Sequence, residues 1–238
     1  MKQAIIIGAS SGIGWELAVQ LAAKGYQLGL MARRSGCLEK LAGKLPGEHF
    51  IQVTDVSQAE QSQAELTALI EKMGDVDLIV VNSGVGNKER KLDWVVVREM
   101  IDVNVRGFAA MSLTSMNYFT QRGAGHLVGL SSCAAHFSAG VTPTYNATKA
   151  FASNYLNGLR SRAVRSKLPI TVTTIEPGFV ETPMVEGKPM WLAPLEKAVA
   201  QMVTGIEKGR DHIFITKRWR LVALLLDIMP NGLIRKFM

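Results

Sequence analysis

Cysteine is nearly absent from this 238-residue chain: Cys37 and Cys133 are the only two. Two thiols build neither a disulfide framework nor a metal-binding cluster, so a reduced, cytoplasmic setting is the simplest expectation. Long apolar runs are missing too, and nothing reaches the roughly 18 uninterrupted residues of a membrane span. The opening MKQAIIIG places Lys2 before an apolar run of residues 4–7 only, with no suitable cleavage site after it. That stretch reads as a buried strand rather than a leader. No low-complexity block, Pro/Ser-rich linker or internal repeat divides the chain, so a single unit over 1–238 is expected.

Acidic residues are in deficit, 20 against 27 Lys and Arg, which leaves a net charge of +7. From position 208 onward seven basic residues face only Asp211 and Asp227, a local excess of +5. In the tail, residues 217–238, basic residues flank 221–229, which is apolar except for Asp227. The segment is too short to span a bilayer. It suits packing against a second subunit or the chain itself, and it also suits peripheral contact with a membrane surface. A nucleic-acid partner is not expected, because the basic excess is local, mixed with leucines and free of a recognition motif.

What remains is ordinary globular composition, 47% hydrophobic and 20% charged. Short apolar runs at 4–8, 27–31, 49–53, 77–81, 126–130, 170–175 and 212–215 alternate with helical patterns at 13–24, 38–44, 58–72, 92–119, 143–165 and 195–208. Such alternation, with continuously apolar strands, predicts an α/β fold: a Rossmann-type, doubly wound, seven-stranded parallel sheet with helices on both faces. Ligands of such sheets bind beyond the carboxyl ends of the strands.

The residues that follow the strands are polar or glycine. After the first comes GASSGIG, which offers Gly8, Ser10, Ser11, Gly12, Ile13 and Gly14 as a tight turn and a helix N-terminus for a pyrophosphate. After the second comes MARRS, where an acid would bind a free ribose 2′-hydroxyl. Arg33 and Arg34 stand there instead, and a guanidinium fork suits a phosphate. NADP(H) is therefore favoured over NAD(H), with Arg33 as the main contact. After the third strand, Asp55 suits an adenine amino group, with Val56 against the ring, and equally suits a helix cap. After the fourth come Asn82, Ser83 and Gly84, which let the backbone run close to a ribose. In YNATK, Tyr145 and Lys149 stand one helical turn apart on one face. A cation so placed lowers a tyrosine pKa and suits proton transfer.

Taken in order, Gly8-x-x-x-Gly12-x-Gly14, Asp55, Asn82-Ser83-Gly84, Asn104, Ser132, Tyr145-x-x-x-Lys149 and Pro177-Gly178 resemble the short-chain dehydrogenase/reductase family. The resemblance covers about residues 3–215. It departs at Ile7, where threonine is frequent, and at Ser83, where alanine is usual. It implies an oxidoreductase that moves a hydride between a nicotinamide cofactor and a carbonyl or alcohol. Tyr145 would be the general acid/base, and Lys149 would hold the nicotinamide ribose and lower the tyrosine pKa. Ser132, thirteen positions before Tyr145, would hold the substrate oxygen, while Ser131 faces structure. Asn104 would hold a water that relays protons to Lys149. Pro177, Gly178, Val180 and Thr182 would border the nicotinamide, and 183–195 would form a mobile lid. His136, Phe137, Met184, Met190 and Trp191 suggest an apolar substrate pocket. The resemblance also implies a homodimer or homotetramer formed through 92–119 and 143–165. Two other readings are a nucleotide-binding regulator or scaffold without turnover, and an epimerase or dehydratase. The intact Asn104, Ser132, Tyr145 and Lys149 set speaks against the first, and the short C-terminal portion speaks against the second. The Asn146-x-Thr148 sequon lies within the active-site helix and reads as chance.

Overall fold

The computed structural model describes residues 2–185, 187 and 189–228, without the side chains of 227 and 228. Glu186 and Lys188 of the expected lid, and 229–238 of the tail, lie outside the described residues. Seven strands form one sheet: β1 (Gln3–Ile7), β2 (Gln27–Ala32), β3 (Phe50–Val53), β4 (Leu78–Val81), β5 (Gly125–Leu130), β6 (Ile170–Pro177) and β7 (His212–Ile215). Their order is β3-β2-β1-β4-β5-β6-β7, and every pairing is parallel.

Because side chains alternate along a strand, each apolar run supplies both faces at once. Ala4 and Ile6 join the core under α1 (Gly12–Ala23), α2 (Ser35–Ala42) and α7 (Leu195–Glu207), beside Leu17, Leu21 and Met202. Ile5 and Ile7 join the opposite core, beside Leu66 of α3 (Ala59–Met73), Phe119 of α5 (Phe108–Arg122) and Leu156 of α6 (Pro143–Ser166). The chain runs outward from β1 to β3 and then returns to place β4 on the other side of β1. This reversal opens a crevice beyond the carboxyl ends of β1 and β4.

Three expectations change. The helix expected over 92–119 is α4 (Trp94–Ile101), a π-helical segment (Asp102–Gly107) and then α5. A π turn carries an extra residue and breaks the i→i−4 ladder, a local distortion frequent at functional sites. Asn104 lies in it. The third strand begins at Phe50 rather than His49, because His49 Nδ1 takes the Leu28 N–H at 3.1 Å and so acts as a side-chain acceptor. The first part of the tail is a helix, α8 (Lys217–Ile228), packed against β7 and the turn that follows β5.

Candidate active site

The crevice is a cleft of about 760 Å³. One end lies over the turn after β1, the other over α6, and the loops after β4, β5 and β6 form its sides. Gly8 takes φ +93°, and Gly14 lies against its carbonyl so closely that a side chain at 14 would strike that oxygen and the Asn82 amide. Asn82 Nδ2 donates to Gly8 O at 2.9 Å and fixes the turn. Arg34 reaches across it, its Nη2 donating to Ser10 Oγ at 2.9 Å and Ser11 Oγ at 2.8 Å. Arg33 is exposed beside it on the rim of the cleft.

Asp55 Oδ1 accepts from the Ser57 N–H at 3.0 Å and the Ser57 hydroxyl at 2.9 Å. Asp55 thus closes a turn ahead of α3 rather than capping the helix, whose N-cap residue Gln58 makes no side-chain cap bond, while Asp55 and Val56 also line the cleft. Thr54 Oγ1, Ser83 Oγ and Trp219 Nε1 are buried with no hydrogen-bond partner among the described residues, and all three residues line the cleft. Buried polar groups are normally satisfied, so these orphans fit a cleft built to receive a polar ligand. Gly12, Ile13, Gly84, Pro177, Gly178, Val180 and Thr182 line it as well.

Helix α6 starts with Pro143 at its first turn, and buried Glu89 caps it. Glu89 Oε1 accepts from Thr144 N and Oε2 from Thr144 Oγ1, both at 2.8 Å. A carboxylate suits the positive end of a helix dipole. One turn in, Tyr145 and Lys149 share a face, with Nζ 5.7 Å from the phenol ring centroid. Lys149 Nζ donates to Leu130 O at 3.2 Å. Burial pulls the Lys149 pKa down to about 8. Burial pushes the Tyr145 pKa up, and the Ser132 hydroxyl opposes it in part. The expected lowering by Lys149 is therefore not the outcome: enclosure dominates, and the phenol keeps its proton at neutral pH. The Cys133 thiol, pushed up to about 12 by burial and the Glu176 charge, is inert.

Ser132 opens a short 3₁₀ turn (Cys133–His136), its Oγ accepting from Ala134 N at 3.1 Å. Ser131 turns inward instead and donates to Lys149 O at 2.8 Å. Asn104 lies behind Lys149 and clamps the backbone of Val85, with its amide also donating to Thr148 Oγ1 at 3.1 Å. Of the expected pocket residues, Phe137 and Met184 line the cleft. His136 is a correction: its Nε2 meets Glu176 Oε2 at 2.7 Å, because the buried carboxylate draws the imidazole away from the cleft. Met190 is 69% exposed, and Trp191 packs edge-on against Trp219.

Several residues that matter here gave no sequence signal as site residues. Asn146 is buried and donates to Ala134 O at 3.0 Å and Phe137 O at 2.8 Å, fastening the Ser132 turn to α6. Glu176 is fully buried and receives His136, His212 and Ser153 together. Trp219, within the basic tail, forms part of the cleft wall. An asparagine inside a helix and a glutamate inside an apolar strand were the available hints, since both are costly unless partnered.

Comparison with known proteins matches the family described as short chain dehydrogenase to residues 2–193. An uncharacterized oxidoreductase of Myxococcus xanthus is 32% identical over 240 residues, covering 98% of this chain and 94% of that one. Another, from Mycobacterium tuberculosis, is 30% identical over 249 residues, covering 99% and 97%. A short chain dehydrogenase/reductase from Burkholderia phymatum in complex with NAD has the same fold, with a TM-score of 0.85 at 23% identity over 94% of this chain and 92% of that one. An alcohol dehydrogenase from Thermococcus sibiricus, complexed with 5-hydroxy-NADP, gives a TM-score of 0.80 at 28% identity over 90% and 95%. The chain belongs to the short-chain dehydrogenase family of oxidoreductases.

Proposed function

We propose that the protein is an NADP(H)-dependent reductase of a carbonyl group on an apolar small molecule. The observation that carries the reading is the convergence of Tyr145, Ser132 and Lys149 on one end of a cleft whose other end holds the glycine turn and Arg34. When bound, the nicotinamide supplies the hydride. The glycine turn and the N-terminus of α1 suit its pyrophosphate. Arg33 and Arg34 suit a 2′-phosphate, with Arg34 already directed over Ser10 and Ser11. The Thermococcus relative complexed with 5-hydroxy-NADP fits this preference, while the Burkholderia structure in complex with NAD shows that the fold itself does not decide it.

Tyr145 holds the proton on its phenol oxygen and gives it to the substrate oxygen as negative charge develops there. The raised pKa keeps the phenol protonated at neutral pH, so the proton that reduction consumes is in place, and the Lys149 charge offsets the weaker acidity. Ser132 lines the same end of the cleft as that phenol and holds the same substrate oxygen. Lys149, largely charged at neutral pH with a pKa of about 8, favours the phenolate left behind. Phe137, Val141, Met184 and Trp219 line the cleft and favour an apolar body over a sugar or a charged acid. The reading treats 1–238 as one catalytic unit, with 183–195 as its lid. It extends to a homodimer or homotetramer through the α4 region, where Leu92, Trp94 and Val95 are 86%, 65% and 62% exposed. Free Cys37 and Cys133 suit a reducing compartment.

The test is NADPH oxidation across a panel of apolar ketones and aldehydes, with NADH as the control. Faster turnover with NADH overturns the cofactor assignment, and no turnover with any carbonyl overturns the reaction.

A further inference from the structure

Helix α8 buries one side and leaves the other bare. Ala223 and Leu226 are 2% and 9% exposed, whereas Leu221, Leu224 and Leu225 are 70%, 55% and 56% exposed. At 3.6 residues per turn the three outward leucines fall within an arc of about 100°. Lys217 stands on the same side one turn earlier, and Arg218 and Arg220 flank the stripe, one on each edge. All three cations are exposed. Residues 217–226 contain no acid, and none of the three cations forms an ion pair among the described residues.

Three leucines rimmed by cations on both sides are the chemistry of a helix lying in a lipid interface, where apolar burial and attraction to anionic headgroups add. We propose that this face of α8 docks the protein on an anionic lipid surface. The charge pattern disfavours a second copy on the same face: a twofold contact would bring six cations together against only the two Asp227 of the pair. The inward side of the helix is anchored independently of any partner. The Trp219 ring packs at 5.7 Å from both Phe179 and Trp191. At the edge of the stripe, exposed Arg218 lies over the Trp191 ring at 5.4 Å. No described helix is long and apolar enough to cross a membrane, so the contact proposed is peripheral.

Flotation of the full chain with vesicles of phosphatidylglycerol and phosphatidylcholine, and with phosphatidylcholine alone, tests the proposal. Wild type should float with the anionic vesicles and not with the neutral ones, and should dissociate as salt is raised toward 1 M, where charges are screened within about 3 Å. Each interfacial cation contributes about fivefold in partitioning, so Arg218→Gln with Arg220→Gln should weaken binding roughly 25-fold. The triple variant Leu221→Asn/Leu224→Asn/Leu225→Asn should not float. Because these side chains are exposed, its thermal midpoint should match wild type, which separates lost docking from lost folding. No flotation of wild type, or equal flotation of the triple variant, overturns the proposal. So does a wild-type oligomer that the triple variant dissolves while vesicle binding is absent, which would assign the face to a second copy.

Discussion

Asn104 grips Val85 at two points: its Oδ1 accepts the Val85 N–H at 2.8 Å and its Nδ2 donates to the Val85 carbonyl at 2.7 Å. The π-helical segment presents the amide to the loop after β4, and this clamp sets the wall of the cleft that faces Tyr145. Both functions of the amide are used on the backbone, so Asn104 acts first as a positioning residue. Asn104→Ala leaves the half-buried Val85 backbone groups unpaired and should cost about 1 kcal/mol, read as a lower midpoint in urea. Asn104→Asp keeps the acceptor but sets a carboxylate oxygen against the Val85 carbonyl, and should be destabilised as well.

The indole of Trp219 fills the space where a side chain on Gly178 would stand. Gly178→Ala therefore has to move the ring, at an overpacking cost of about 1–3 kcal/mol. Its tryptophan emission should shift from wild type, and the same substitution in a Trp219→Phe background should produce no shift. An unchanged spectrum in the first variant would remove Trp219 from the cleft wall.

Burial alone would raise the Glu176 pKa, but hydrogen bonds from His136 and His212, the His212 charge and the Ser153 hydroxyl outweigh it and hold it at about 2, against an ordinary 4.5. A depressed carboxylate stabilises the fold above its unfolded value, and that contribution is lost as pH falls from about 4.5 toward 2. Wild type should lose on the order of 2–3 kcal/mol of unfolding free energy across that window through this group. Glu176→Gln should start lower at pH 7 and show a flatter decline, measured by urea unfolding at pH 7, 5, 4 and 3.

The fold was legible because parallel strands buried on both faces leave a plain mark, continuous apolar runs such as 4–7 and 78–81, with helical periods between them. The glycine turn and the Tyr145–Lys149 pair were legible because each depends on local spacing. The Asn146 bonds to Ala134 and Phe137, the Glu176 cluster and the Trp219 wall were not. Each joins residues far apart in the chain, and a buried polar side chain names no partner from sequence. The Tyr145 pKa was misread for a related reason: Lys149 is visible four residues away, but the enclosure that raises the phenol comes from the whole cleft.

If the proposed NADP(H) preference holds, Arg34 is the residue that should separate the two nicotinamide cofactors. Its guanidinium lies on Ser10 and Ser11, and a charged hydrogen bond is worth about 1.5–3 kcal/mol. Arg34→Ala should raise the KM for NADPH roughly 10- to 100-fold while leaving that for NADH nearly unchanged. Equal losses with both cofactors would assign Arg34 to the shape of the glycine turn instead.

The reductase reading stands on the proton that Tyr145 holds. Tyr145→Phe removes one oxygen from the cleft and keeps the ring that packs beside Lys149. The decisive measurement is its single-turnover rate with saturating NADPH and a ketone that wild type reduces, with NADPH binding followed by fluorescence. The account predicts a rate lower by at least about 10²–10⁴-fold with NADPH affinity retained. A rate near that of wild type would contradict it.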